Sequence, residues 1–312
     1  MRALAVFGPT ASGKSSLAFK LAKELNGVII SADSMQIYRG MDIGTAKPTL
    51  EEQKVVPHRL IDICDARDRF SVYDYKALAE EEIHSACSNG KLPIVVGGTG
   101  LYFDALFFNT DFGEFDILPE VRQRLKLRAE NGENEALLAE LQAIDPETAA
   151  PLHLRDLKRI IRGLEVYYST GKPLSHFKKE SHREKSAIDF CKFNLIYQDR
   201  EALYERINFR VDEMMSAGLL EETRKLWECG ALYDTTAAQA IGYKELLPHL
   251  VGNAPLSDCV SLLKQKTRNY AKRQITWFRR YTDSNRIAMD GCEDPFSTAI
   301  SIAQGFLKGG LI

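Results

Sequence analysis

Hydrophobic positions change period along this chain, and the change divides it. Residues 3–7 (ALAVF) form a short apolar run that ends at Gly8. Residues 14–25 then place Leu17, Ala18, Leu21, Ala22 and Leu25 at helical spacing, and Asn26-Gly27 stops them. The run 28–30 (VII) predicts a second buried strand leading into Ser31-Ala32-Asp33-Ser34. Residues 74–87 predict an amphipathic helix closed by Asn89-Gly90, and 92–96 (LPIVV) a third strand ending at Gly97-Gly98-Thr99-Gly100. Short unbroken apolar strands alternating with helices are the pattern of a parallel sheet covered on both faces. After Phe112 the strands stop. Residues 119–142 and 146–169 are charged and helical, Gly171-Lys172-Pro173 breaks the second stretch, and 189–197 (DFCKFNLIY) predicts a strand again. Beyond it, 200–217, 219–229, 236–250 and 257–280 are predicted as helices, with one more helix in 281–312.

The predicted class is therefore α/β, with one sheet built from two stretches of chain, 1–112 and 188–312, and an all-helical insertion domain at 113–187. With 312 residues and 45% hydrophobic content, a large core can be buried. The formal charge of −2 excludes a globally basic surface, so any nucleic-acid contact must be local. Six cysteines without a C-x-x-C pair predict free thiols and no zinc site. Only Met1 and Arg2 precede the first strand, and no run of 18 apolar residues occurs. The expectation is a cytoplasmic protein with no signal peptide and no membrane span.

The first strand-to-helix turn carries the chemistry. Gly8, Pro9, Thr10, Ala11, Ser12, Gly13, Lys14 and Ser15 fit G-x-x-x-x-G-K-[ST], which predicts a P-loop and hence a P-loop NTPase-like core. Its amides and the helix N-terminus attract phosphate, Lys14 adds a full positive charge, and the Ser15 hydroxyl suits Mg²⁺. A P-loop does not name the reaction, because most bind ATP or GTP. Asp33 follows the second strand at the same sheet edge, where a carboxylate serves as general base or as a water-mediated Mg²⁺ ligand. Thr99 closes the third strand at that edge. Two stretches are locally basic. Residues 264–280 hold seven Lys/Arg and no acid, interleaved with Tyr270, Trp277 and Phe278, and 149–179 hold seven against two acids. Such segregation is what a phosphate backbone rewards. The six histidines show no metal or triad spacing.

Eight segments together resemble the tRNA dimethylallyltransferase (tRNA isopentenyltransferase) family of bacterial type. They are GPTASGKS at 8–15, DSMQIY at 33–38, MDIGTAKP at 41–48, PHRLID at 57–62, GGTGLY at 97–102, KRIIRGLEVY at 158–167, AIGYKE at 240–245 and AKRQITWFR at 271–279. They run in the family's order over nearly the whole chain. The resemblance implies transfer of a dimethylallyl group from dimethylallyl diphosphate to N6 of adenosine 37 of tRNA, with Mg²⁺ and release of diphosphate. It implies that the P-loop, 8–15, holds the prenyl diphosphate, with Thr10 and Lys14 positioning it. Asp33 is then the general base, and Thr99 lies near the breaking C–O bond. Asp33, Ser34, Met35, Gln36, Thr99, Gln239, Gly242 and Tyr243 would meet the target base and its neighbours. Arg122, Lys158, Arg159, Ile160, Ile161 and Arg162 of the insertion would grip the anticodon stem-loop, and Lys272, Arg273 and Gln274 would add contacts from the core. A monomer is expected. Two further readings stay open: a P-loop kinase of a small molecule, and an adenylate prenyltransferase acting on free AMP. A P-loop RNA-binding module without catalysis is disfavoured because Asp33 and Thr99 converge on the loop.

Overall fold

The structure, a computed structural model, describes residues 1–108, 117–181 and 186–309. The predicted boundary at 112/113 and His182 lie outside the described residues. Contacts divide the chain into two units, Met1–Phe103 with Ala187–Ile312, and Asp104–Ser186.

The larger unit is built on β1 (Arg2–Phe7), buried along all but its first residue, followed by α1 (Lys14–Glu24) and β2 (Gly27–Ser31). Then come α2 (Leu50–Val55), β3 (His58–Arg59), α3 (Val72–Ser88), β4 (Leu92–Gly97) and α4 (Gly100–Phe107). Capping boxes start two of these helices, Thr49 with Glu52 and Ser71 with Asp74. Five helices follow: α5 (Pro119–Glu130), α6 (Asn134–Ile144), α7 (Pro146–Ala149), α8 (Leu157–Thr170) and α9 (Leu174–Ser181). The chain returns through β5 (Asp189–Ile196), α10 (Arg200–Ser216), α11 (Leu219–Glu228), α12 (Leu247–Leu250), α13 (Leu256–Phe278), β6 (Asn285–Ala288) and α14 (Pro295–Lys308).

All six strands are parallel, in the order β3-β2-β4-β1-β5-β6. Phe7, the last residue of β1, stands opposite Gly97 on one side and Asn194 on the other. The chain leaves β1 toward β2 and β4, and later returns on β1's other flank as β5. The carboxyl end of β1 is thus a switch point, where open parallel sheets bind ligands. One face of the sheet is covered by Leu17 and Leu21 of α1 and by Ala299 and Ala303 of α14. On the other, Phe7 meets Phe103 at 5.2 Å and Phe278 at 5.0 Å between ring centroids.

Two edge strands and one helix differ from the sequence reading. β3 has two residues and β6 has four, of which only Ile287 is buried, so neither carries a readable hydrophobic run. Residues 236–250 are not a continuous helix. A 3₁₀ turn, Ala237–Gln239, and α12 are separated by turns. Gly242 has φ of 121°, and its N–H donates to the buried Glu245 carboxylate at 2.9 Å. A left-handed residue whose amide is taken by a side chain cannot continue a helix. Ala240, Tyr243 and Leu246 at helical spacing mimic one because they pack into a second core with Ile37, Tyr38 and Met41.

The smaller unit has its own core of Leu125, Leu137, Leu141, Ile160 and Leu164. Gly163 lets α8 approach Leu141, since an added Cβ would lie 2.7 Å from its side chain. Arg128 joins Glu133 and Glu140 at 2.8 and 2.9 Å. No helix among the described residues is long and apolar enough to cross a membrane.

Candidate active site at the P-loop edge

The P-loop spans the step from β1 into α1. Gly13 takes φ of 88° directly before α1, a left-handed turn that glycine adopts without penalty. No side chain caps α1, so its first amides are open to an anion. Lys14 Nζ donates to Pro9 O at 2.6 Å, across the loop. Burial pulls the Lys14 ammonium down to about 7, the Arg210 charge pushes it the same way, and Asp33 opposes both. The Ser12 hydroxyl is wholly buried with no hydrogen-bond partner among the described residues. A phosphate held by the loop would supply one. Residues 11–15 line a cavity of about 280 Å³ with Arg206 and Arg210 opposite.

The ends of β2 and β4 meet beside this loop. Thr99 N–H donates to Ala32 O at 3.2 Å, and Ser34 N–H donates to Thr99 Oγ1 at 3.0 Å. Asp33 Oδ1 accepts from Met35 N–H at 2.9 Å, which fixes the carboxylate on its turn. Its other oxygen remains available. The Thr99 hydroxyl stands between Ser34 Oγ, at 3.4 Å, and the Tyr270 hydroxyl, with which it also interacts.

Two further cavities, of about 260 and 180 Å³, share a wall made of Thr10, Asp33, Thr45, Arg210 and Tyr270. The second also contains Lys14 and Ser15 and has Phe19, Ile29 and Val96 as apolar lining. The first opens among Ser34, Met35, Gln239, Gly242 and Arg273. Arg210 lines all three cavities. Burial lowers its guanidinium below the usual arginine range, and the facing Asp33 carboxylate pulls it back. Tyr270 is raised by burial and then by Asp33, so its hydroxyl stays a donor.

The predicted residues therefore separate. Thr10, Asp33, Lys14 and Ser15 converge, and Ser34, Met35, Gln239, Gly242 and Arg273 stand on the adjoining cavity. Lys272 is exposed, its ammonium 5.6 Å from the Tyr204 ring. Lys158 and Arg159 are exposed at the start of α8. Arg122 and Arg162 both reach the buried Glu165, at 2.9 and 3.7 Å, so that carboxylate offsets part of their charge. Ile161 is half-buried.

Three residues expected to contact RNA, Ile160, Tyr243 and Gln274, are buried instead, and a fourth, Gln36, is tied down at the second cavity. Ile160 is wholly buried in the helical unit's core. Tyr243 is wholly buried, and its hydroxyl donates to Glu222 Oε1 at 2.8 Å, the same carboxylate group that accepts from the amides of Asp42, Ile43 and Gly44. Gln36 is half-buried and lines the second cavity, oriented by Ser31 Oγ, which donates to its Oε1 at 2.9 Å, and by its own donation to Thr45 O at 3.2 Å. Gln274 is 4% exposed and clamps the site. Its Oε1 accepts from Thr10 N–H at 2.8 Å, and its Nε2 donates to Gly98 O at 2.9 Å. Gly98 must lack a side chain here, because a Cβ would lie 2.2 Å from that Nε2.

Gln274→Leu leaves Thr10 N–H without its partner and Gly98 O with only the long 3.5 Å approach of the Tyr270 hydroxyl. At about 1–3 kcal/mol for an unsatisfied group, urea unfolding should show a loss of about 1–3 kcal/mol and a weaker grip on diphosphate. Wild-type stability in this variant would remove the clamp.

The sequence reading missed Arg210, Tyr270 and the clamp. Arg206 and Arg210 lie one turn apart on α10 and share a helix face. That spacing was the one available signal, and an arginine pair on a charged helix normally marks a solvated surface.

The chain matches the family model described as IPP transferase over residues 36–281, and that described as isopentenyl transferase over residues 1–66. It is 47% identical over 277 residues to a tRNA dimethylallyltransferase of Thermoanaerobacter sp. (strain X514), covering 88% of both chains. Among solved structures, it is 40% identical to the tRNA isopentenylpyrophosphate transferase of Bacillus halodurans, covering 99% of this chain and 96% of that one, with a TM-score of 0.70. A eukaryotic dimethylallyltransferase, captured in crystallographic snapshots acting on tRNA, is 30% identical with a TM-score of 0.85, covering 100% of this chain and 80% of that one.

Proposed function

This chain belongs to the IPP transferase family, and from that premise we propose how its site carries out tRNA prenylation. The enzyme transfers a dimethylallyl group from dimethylallyl diphosphate to N6 of adenosine 37 in tRNA. One observation carries the assignment of parts: a single wall, with Asp33 and Arg210 in it, separates a cavity that contains Lys14 and Ser15 from one that does not. The diphosphate lies on the P-loop side with its short apolar chain toward Phe19, Ile29 and Val96. The adenine, turned out of the anticodon loop, enters from the side of Ser34 and Met35. Extruding a loop base costs a few kcal/mol, less than from a duplex.

The reaction breaks the C1–O bond of the donor and forms the N6–C1 bond. The electron pair leaves on the diphosphate, and one N6 proton passes to the Asp33 carboxylate. An exocyclic amine is a weak nucleophile until that proton is taken. Lys14, the α1 amides and Arg210 stabilise the charge that gathers on the leaving oxygens. Among the described residues no three His, Cys, Asp or Glu converge as a metal cage. The donors present, Ser15 hydroxyl and Asp33 carboxylate, fit Mg²⁺, which takes few protein ligands and draws the rest from phosphate and water. Bound there, Mg²⁺ would supply further neutralisation of the leaving diphosphate.

Lys158 and Arg159 of the helical unit suit the phosphates of the anticodon stem-loop. The cysteines of the described residues are unpaired, which suits the reducing cytoplasm where tRNA is modified.

The test is direct. Protein, Mg²⁺, dimethylallyl diphosphate and unmodified tRNA reading A36-A37-A38 should yield prenylated adenosine at 37. Transfer to AMP but not to tRNA, or phosphoryl transfer from ATP alone, would overturn the reading.

Lys14 also sets a pH dependence. Free, it loses its proton near 7. Bound diphosphate favours the charged form and raises that value. Affinity for diphosphate should be flat below about pH 7 and fall as pH rises through it, by up to tenfold per unit. Calorimetry at pH 8 in buffers of different ionisation enthalpy should show proton uptake on binding. No uptake would mean that Lys14 is already charged in the free site.

A further inference from the structure

A fourth cavity, of about 280 Å³, lies beyond the carboxyl end of β5 and shares no lining residue with the other three. Three arginines line it from three elements: Arg200 at the first position of α10, Arg279 just after α13, and Arg286 on β6. No acidic residue is among the lining. None of the three guanidinium groups has an ion pair or a side-chain hydrogen bond within the described residues. The acids nearby in sequence are engaged elsewhere. Asp199 accepts from Glu201 N–H, Asp290 from the amides of Gln198 and Asp199, and Asp283 pairs with Lys192 at 2.6 Å.

Three uncompensated cations around one hollow repel each other, and an anion would relieve them. Guanidinium groups match oxyanions bidentately, which favours phosphate over a monatomic ion. The rest of the lining fits that ligand. Thr282 and Tyr197 bring hydroxyls to the cavity, and burial raises Tyr197 so that its hydroxyl remains a donor. Asn194, 7% exposed, lines it too, and its amide makes only one long bond, 3.4 Å to Phe278 O.

We propose that this cavity, which touches the P-loop only at Pro9, is a second anion site that binds a phosphate group separately from the P-loop cavity. Free diphosphate and a backbone phosphate of bound RNA share the required chemistry, and the experiment separates them. Inorganic diphosphate is titrated into the Lys14→Ala protein, whose P-loop site is weakened, and into that protein carrying Arg200→Gln, Arg279→Gln and Arg286→Gln as well. These arginines are exposed, so the fold should survive, and thermal unfolding checks that it does. Separately, the salt dependence of anticodon stem-loop binding is measured with and without the three glutamines.

Residual diphosphate binding in Lys14→Ala that weakens at least tenfold with the glutamines supports the site with free diphosphate as its ligand. No residual binding, together with a fall of about 0.7–0.9 in the salt slope for RNA, supports it with one RNA phosphate as its ligand. If the glutamines change neither the diphosphate binding nor the salt slope, the proposal is overturned.

Discussion

Asp33→Asn lowers kcat by about 10²–10⁴-fold, the range for loss of a positioned general base. The asparagine keeps an oxygen that accepts from Met35 N–H, the contact that orients this side chain. The turn therefore persists, and so does the Ser34–Thr99 bond beside it. What disappears is a carboxylate able to take the N6 proton. Single-turnover prenylation with enzyme and donor saturating isolates this step from tRNA binding. An unchanged single-turnover rate would take Asp33 out of the proton transfer.

Arg210→Gln lowers kcat by about 10²–10³-fold, as expected on losing one preorganised partner of a developing oxyanion. The position explains the size. Arg210 belongs to the wall shared by the donor and acceptor cavities and also lines the third cavity over the start of α1, which no other residue of that wall does. Its charge also acts on both neighbours: it pushes Lys14 down, and it faces Asp33. Removing it should move the Lys14 inflection upward from about 7, which shifts the pH dependence of diphosphate affinity to higher pH. A structural role alone would not shift that inflection. The Asp33→Asn/Arg210→Gln double variant should lose less than the product of the two single losses, since the two charges share one wall. Strict multiplicativity would mean that they act separately.

Much of the architecture was legible from period and punctuation. β1, β2 and β4 are short apolar runs, because a parallel strand covered on both faces needs no polar alternation, and β5 was readable from Phe190, Phe193, Leu195 and Ile196 despite Lys192 and Asn194 among them. α1 was readable because it is amphipathic and stopped by Asn26-Gly27. The P-loop was legible as a motif, since a tight phosphate-binding turn requires glycine at fixed offsets and a lysine beside it. Asp33 was legible by position, one residue group past a strand whose carboxyl end faces the same edge. The strands β3 and β6 were not, because short edge strands bury too little to leave a periodic trace.

The sequence by itself determined the phosphate cradle and the sheet that presents it, because both depend on neighbours along the chain. Only the tertiary structure decided what surrounds the cradle. Arg210 meets Asp33 across 177 residues of chain, and Gln274 closes Thr10 against Gly98 from the buried side of α13. It likewise put Ile160 and Tyr243 inside cores and turned 236–250 out of helix. Hydrophobic period reports which face of an element is covered. It cannot report which distant polar group is held against that face, since this depends on where long connections bring the chain back.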